Sequence, residues 1–73
     1  MTDQPKPTVV VLTAEELASL LKSSLESIYR FNAKGLIPRP SRLGGQLRWK
    51  RAEIEAWIDA GMPSRSEWEA VLA

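Results

Sequence analysis

The stretch GLIPRP, from Gly35 to Pro40, limits the fold of this chain more than any other. Pro38 and Pro40 lack an amide hydrogen and fix their own φ, and each holds the residue before it in extended backbone, so no helix passes through them. Gly35 stands where a helix stop needs left-handed backbone, and Leu36 behind it is placed to meet Phe31 across a Schellman stop. The chain therefore divides here into a helical part and a part that must begin extended.

Upstream, Thr13 and Glu16 have capping-box spacing, and Leu12 and Leu17 occupy the two positions of a hydrophobic staple. A helix is expected from Ala14 to near Lys22, with Leu17, Leu20 and Leu21 on one stripe. Ser23 and Ser24 interrupt it and offer hydroxyl caps. A second helix, Leu25 to Ala33, then turns Ile28 and Phe31 inward. Glu26 and Arg30 stand four apart in the order that favours a surface ion pair.

Downstream, Ser41 to Trp49 is expected to form a β-hairpin around Gly44 and Gly45. A two-residue loop would pair Leu43 with Gln46 and Arg42 with Leu47, setting a charge beside an apolar residue on one face. A three-residue loop, Gly44 to Gln46, pairs Leu43 with Leu47 and Arg42 with Arg48 and gathers Leu43, Leu47 and Trp49 inside. The side-chain parity favours the second arrangement, in which Arg42, Arg48 and Lys50 share the outer face. A third helix from about Arg51 to Ala60 carries Ile54, Trp57 and Ile58 at core spacing and stops at Gly61. Ser64 and Glu67 form another capping box, opening a terminal helix with Trp68, Val71 and Leu72 on one side. Trp49, Trp57 and Trp68 all have aliphatic partners at core spacing.

At 73 residues and 44% hydrophobic content, the chain has material for one small core. The expected division is a flexible tail over 1–11, a folded domain over 12–61 and a helical extension over 62–73. Val9 to Leu12 is more apolar than a tail needs, and it could pair along the hairpin or the edge of another chain. There is no Cys or His, which excludes disulfides, thiolate nucleophiles, imidazole bases and zinc sites built on those ligands. The paired carboxylates all fall at helix starts or on outer helical faces, where dipole and solvation explain them, so no catalytic role and no cofactor are expected. No apolar run is long enough to span a membrane and no secretory leader is visible, which makes the cytoplasm the expected location.

The net charge of +1 conceals a sorted distribution. Arg30, Lys34, Arg39, Arg42, Arg48, Lys50 and Arg51 follow one another with no acid between them. Before this block stand four acids and two cations, and after it five acids and one cation. A basic segment framed by acidic ones directs one face of the molecule toward polyanions.

The segments LTAEELASLL, SIYRFNAKGLIPRP, RLGG, LRW and IEAWI together resemble the AlpA/excisionase-type DNA-binding domains, relatives of the MerR helix-turn-helix, from Leu12 to about Ile58. The resemblance implies a single winged helix-turn-helix domain, mostly α with a small β-hairpin. It implies that Leu25 to Ala33 is a recognition helix, capped by Ser24, with Glu26, Ser27, Tyr29, Arg30 and Lys34 near the major groove. It also implies a wing and loop in which Arg39, Arg42, Gly44, Gly45, Gln46, Arg48 and Lys50 meet backbone phosphates or the minor groove. Where the family has a small and then an aliphatic residue in the turn, this chain has Lys22 and Ser23. Lys50 also gives the third helix no cap acceptor, in place of the family's acid or hydroxyl.

The function so implied is a sequence-specific double-stranded DNA-binding protein, a transcriptional regulator or recombination directionality factor. Its partners would be duplex DNA together with a second copy, a cooperative array, a recombinase or the transcription machinery, with no membrane and no small-molecule substrate. The alternative is a small adaptor that uses the same scaffold to bind an acidic protein partner.

Overall fold

The structure, a computed structural model, describes residues 10–73. Most of the segment 1–11 expected as a flexible tail thus lies outside the described residues. Val11 and Leu12 form strand β1 (Val11–Leu12). Helix α1 (Ala14–Leu20) opens as its capping box dictates. Thr13 Oγ1 accepts the Glu16 N–H at 3.1 Å, and the Glu16 carboxylate accepts the Thr13 N–H at 2.9 Å.

α1 is shorter than expected, ending at Leu20 rather than near Lys22. Lys22 adopts left-handed backbone with φ 58°, so its own N–H turns to Ser19 O and the Ser23 N–H reaches Ala18 O at 2.8 Å. Those two bonds are a Schellman stop built on a lysine, which side-chain chemistry does not announce. α2 (Leu25–Lys34) follows, capped by Ser24 Oγ, and ends in the same motif with Gly35 at φ 69° and the Leu36 N–H on Phe31 O. The Glu26–Arg30 ion pair does not form. Arg30 instead donates to Ser27 Oγ at 3.1 Å and lies 5.5 Å from the centre of the Phe31 ring.

Strands β2 (Ser41–Leu43) and β3 (Gln46–Lys50) form the hairpin, in a register that corrects the sequence reading. Ser41 pairs with Arg48, Arg42 with Leu47 and Leu43 with Gln46, so the loop has two residues, not three. Gly44 and Gly45 have φ 59° and 86°, and two consecutive positive φ values are what a two-residue primed turn requires. Turn chemistry outweighs side-chain parity here. Leu43 consequently goes outside, 69% exposed, while Arg42 shares a face with Leu47 and Trp49.

β3 is the central strand, because β1 pairs along its other side with Val11 opposite Lys50 and Leu12 opposite Trp49. Val11 and Leu12 of the apolar segment thus pair with the chain's own wing, and Val9 lies outside the described residues. The Val10 carbonyl also accepts the Arg51 N–H at 2.8 Å, supplying the start of α3 (Arg51–Asp59) with the acceptor that Lys50 lacks. α3 closes at Gly61 in a third Schellman stop, with the Met62 N–H on Trp57 O. α4 (Arg65–Leu72) completes the chain behind the Ser64–Glu67 capping box.

Leu12, Leu17, Ala18, Ile28, Ile37, Trp49, Ile54, Trp57 and Trp68 converge in one core. Each buried indole N–H has an acceptor: Trp49 on Pro38 O, Trp57 on Pro63 O and Trp68 on the Glu53 carboxylate, at 2.8 to 2.9 Å. Ile37 and Pro38, between α2 and the hairpin, are buried as well. The architecture is a winged helix-turn-helix, with α1 and α2 as the helix pair and β2–β3 as the wing.

Candidate nucleic-acid interface

Amphipathic spacing decides what α2 presents. Ile28 is fully buried and Leu25, Phe31 and Asn32 are half-buried, which leaves Glu26, Tyr29, Arg30 and Ala33 on one exposed face. Its first turn is fixed by a hydroxyl relay: Ser24 Oγ accepts the Ser27 N–H at 3.1 Å and donates to Ser27 Oγ at 2.9 Å, and Arg30 Nη2 donates to that same oxygen. These bonds and the Phe31 ring fix the position of the Arg30 guanidinium.

A groove separates this helix face from the wing. Tyr29, Arg42, Gly45, Gln46, Leu47 and Arg48 line its outer part, and Asn32, Arg39, Pro40, Arg42, Leu47 and Arg65 line an adjoining hollow. Arg42 and Leu47 belong to both. Among the described residues no carboxylate lines either hollow, so their charged lining is wholly cationic. The Arg42 side chain has no hydrogen-bond or ion-pair partner among the described residues.

The other expected cations are arranged differently from one another. Arg48 folds back on its own strand, donating to Leu47 O at 2.7 Å and Gln46 Oε1 at 2.9 Å. Its face also carries Lys50, so the expected trio of Arg42, Arg48 and Lys50 is split, with Arg42 on the opposite side of the wing. The register change is the cause. Lys34, at the end of α2, and Lys50, beside Val11, line neither hollow. Gly44 and Gly45 form the wing tip, and nothing lies within 4 Å of where a Cβ would stand at either, so backbone can approach a ligand closely there.

Arg39 is engaged by an acid. Its Nε and Nη2 donate to the two carboxylate oxygens of Glu69 in α4 at 3.0 and 3.4 Å. The hydrogen bond from Arg39 holds the Glu69 carboxyl below the usual carboxylate range, against desolvation, with smaller contributions from the charges of Arg39 and Arg65.

Sequence reasoning overlooked Arg65. At the first position of α4, it donates from Nε to Ile37 O at 3.1 Å and from Nη2 to Asn32 Oδ1 and O at 2.6 and 3.3 Å, while its own N–H reaches Gly35 O at 2.9 Å. One side chain thus ties the last turn of α2 and the following loop to α4, with a cation at the negative end of the α2 dipole. A signal was available: a cation in the first turn of a capped helix opposes that helix's own dipole and calls for a partner elsewhere.

A separate hollow, lined by Leu12, Glu15, Glu16, Ser19, Leu20 and Arg51, shares no residue with the groove. Its two glutamates make it a poor seat for a polyanion. Among the described residues no helix is long and apolar enough to cross a membrane, and no group of acids is placed to hold a metal ion.

Compared with known proteins, the chain matches the family model described as a helix-turn-helix domain over residues 11–62, from β1 to the residue after the α3 stop. No curated protein and no solved structure matches it.

Proposed function

The chain belongs to the helix-turn-helix domain family, a DNA-binding fold, and on that premise we propose that it is a sequence-specific double-stranded DNA-binding protein without a catalytic step. α2 enters the major groove and offers Tyr29 and Arg30 to base edges, while Arg42, Arg48 and the glycine tip of the wing meet the flanking backbone. The observation that carries this reading is the groove between the exposed face of α2 and the wing, which among the described residues has no acid in its lining and has on its wall an Arg42 side chain without a partner. Ten residues of recognition helix extend about 15 Å and reach only a few base pairs, so useful specificity calls for dimers, cooperative arrays or DNA bending. In the cell this corresponds to a transcriptional regulator or an excisionase-like recombination directionality factor.

Duplex binding measured at several salt concentrations tests the proposal. Four to six phosphate contacts, roughly what the basic block can supply, give a log–log slope of about −4 to −5. A flat salt response, or no binding to any duplex at low salt, would return the basic face to an acidic protein partner.

A further inference from the structure

α4 lies beyond the family match, which ends at residue 62, yet it bears on the groove. Two of its side chains do so with opposite charge. Arg65 forms part of the wall of the inner hollow, and its hydrogen bonds run to neutral oxygens of Asn32 and Ile37. Glu69 sets both carboxylate oxygens against Arg39, a residue of that same hollow, in a side-on fork. A phosphate presents two oxygens to a guanidinium in the same way.

We propose that the hollow lined by Asn32, Arg39, Arg42 and Arg65 is a seat for one backbone phosphate of bound duplex DNA, and that Glu69, by holding the Arg39 guanidinium, is a built-in competitor for it. The proposal rests on the DNA-binding reading above. Among the described residues three arginines and no acid line the cavity, and one acid from an element outside the family match, Glu69, holds Arg39 without itself lining the cavity. The pair is suited to exchange because both partners are largely solvated, with side chains 65% and 43% exposed, and such pairs are weak. DNA arriving along the groove offers Arg39 a second fork, and Glu69 swings to solvent on its exposed helix. α4 therefore sets the affinity of the groove without touching a base.

The test is a double-mutant cycle on Arg39 and Glu69, read as affinity for a random-sequence duplex at one fixed salt concentration. Glu69→Gln should tighten binding roughly two- to five-fold, the range that an exposed ion pair spans. Arg39→Gln should weaken binding and reduce the salt slope by about one. In the Arg39→Gln background, Glu69→Gln should change little, because the competitor has lost its object. Asp59→Asn, which removes the same charge from α3, should have a much smaller effect than Glu69→Gln. Equal tightening by Glu69→Gln with and without Arg39, or by Asp59→Asn, would reduce the effect to net charge and overturn the proposal. Stabilisation of the unliganded wild type by inorganic phosphate, over chloride at the same ionic strength, would make this a free-anion site and also overturn it. If the wild type binds duplex but Glu69→Gln does not alter it, this inference fails alone. If the wild type binds no duplex, it falls together with the DNA-binding reading.

Discussion

Arg42 and Arg48 stand on opposite faces of the wing, Arg42 across from Leu47 and Arg48 across from Ser41. They are therefore unequal in role. Arg42→Gln should leave stability unchanged, weaken binding to specific and random duplexes alike and lower the salt slope by about one. Arg48→Gln removes two hydrogen bonds from the central strand and should also cost about 1 kcal/mol of stability. Denaturant melts beside salt-titrated binding separate the two, and identical behaviour would contradict the register.

Arg30 is held in place by Ser27 and the Phe31 ring, on the helix face proposed to read bases. Arg30→Ala should weaken the preferred duplex by about 1 to 3 kcal/mol while affecting random duplex less. A target recovered by random-library selection, set against a scrambled duplex, provides the comparison. Equal losses on both would make Arg30 a phosphate contact.

Arg65→Ala leaves the carbonyls of Asn32 and Ile37 without their charged donor and releases the end of α2 from α4. A loss of about 2 to 3 kcal/mol is expected by chemical denaturation, a large share of what a small domain possesses. Arg65→Lys should recover only part of it, because an ammonium does not reproduce the planar fork. Full recovery by lysine would show that charge alone is needed.

Lys22 occupies a position that favours glycine. Lys22→Gly should raise stability by up to about 1 kcal/mol by relieving left-handed strain, with no change in the helix pair. A destabilised variant in thermal melts would mean that the lysine side chain contributes more than its backbone costs.

The Glu69 carboxyl titrates below the usual range because Arg39 hydrogen-bonds its charged form. A depressed folded-state pKa stabilises the fold above the unfolded-state carboxylate value, and this stabilisation is lost as pH falls through the folded value. Melting temperature should therefore drop slightly more on acidification in wild type than in Glu69→Gln at low salt. The difference should shrink in high salt, since the pair is solvated. Parallel curves at low salt would show that the pair contributes nothing.

The helices were largely legible in the sequence because local chemistry fixes their starts. Thr13, Ser24 and Ser64 cap as their hydroxyls dictate, and Gly35 and Gly61 stop helices as glycine does. The wing register was not legible from parity, since Leu43 looks like a core residue and is exposed, while two positive φ values in the turn decide the matter. Of the candidate interface, the exposed residues of α2 follow from helical periodicity. The α4 contacts join Arg65 to Asn32 and Glu69 to Arg39, and such long-range pairs have no local pattern to betray them. Lys50 looked anomalous as a cap because its remedy, the Val10 carbonyl, comes from the far end of the domain.

That remedy has a kinetic side. Residues 10 to 12 come first in the described chain, yet they reach their partners at 49 to 51 only across the whole helix pair and hairpin. α1, α2 and the β2–β3 turn form from neighbours, whereas β1 must close a long loop against chain entropy before its few bonds reward it. The topology thus makes β1 the late arrival in folding and the early departure in unfolding. Weakening Leu12 should quicken unfolding more than it slows folding, as relaxation kinetics would report.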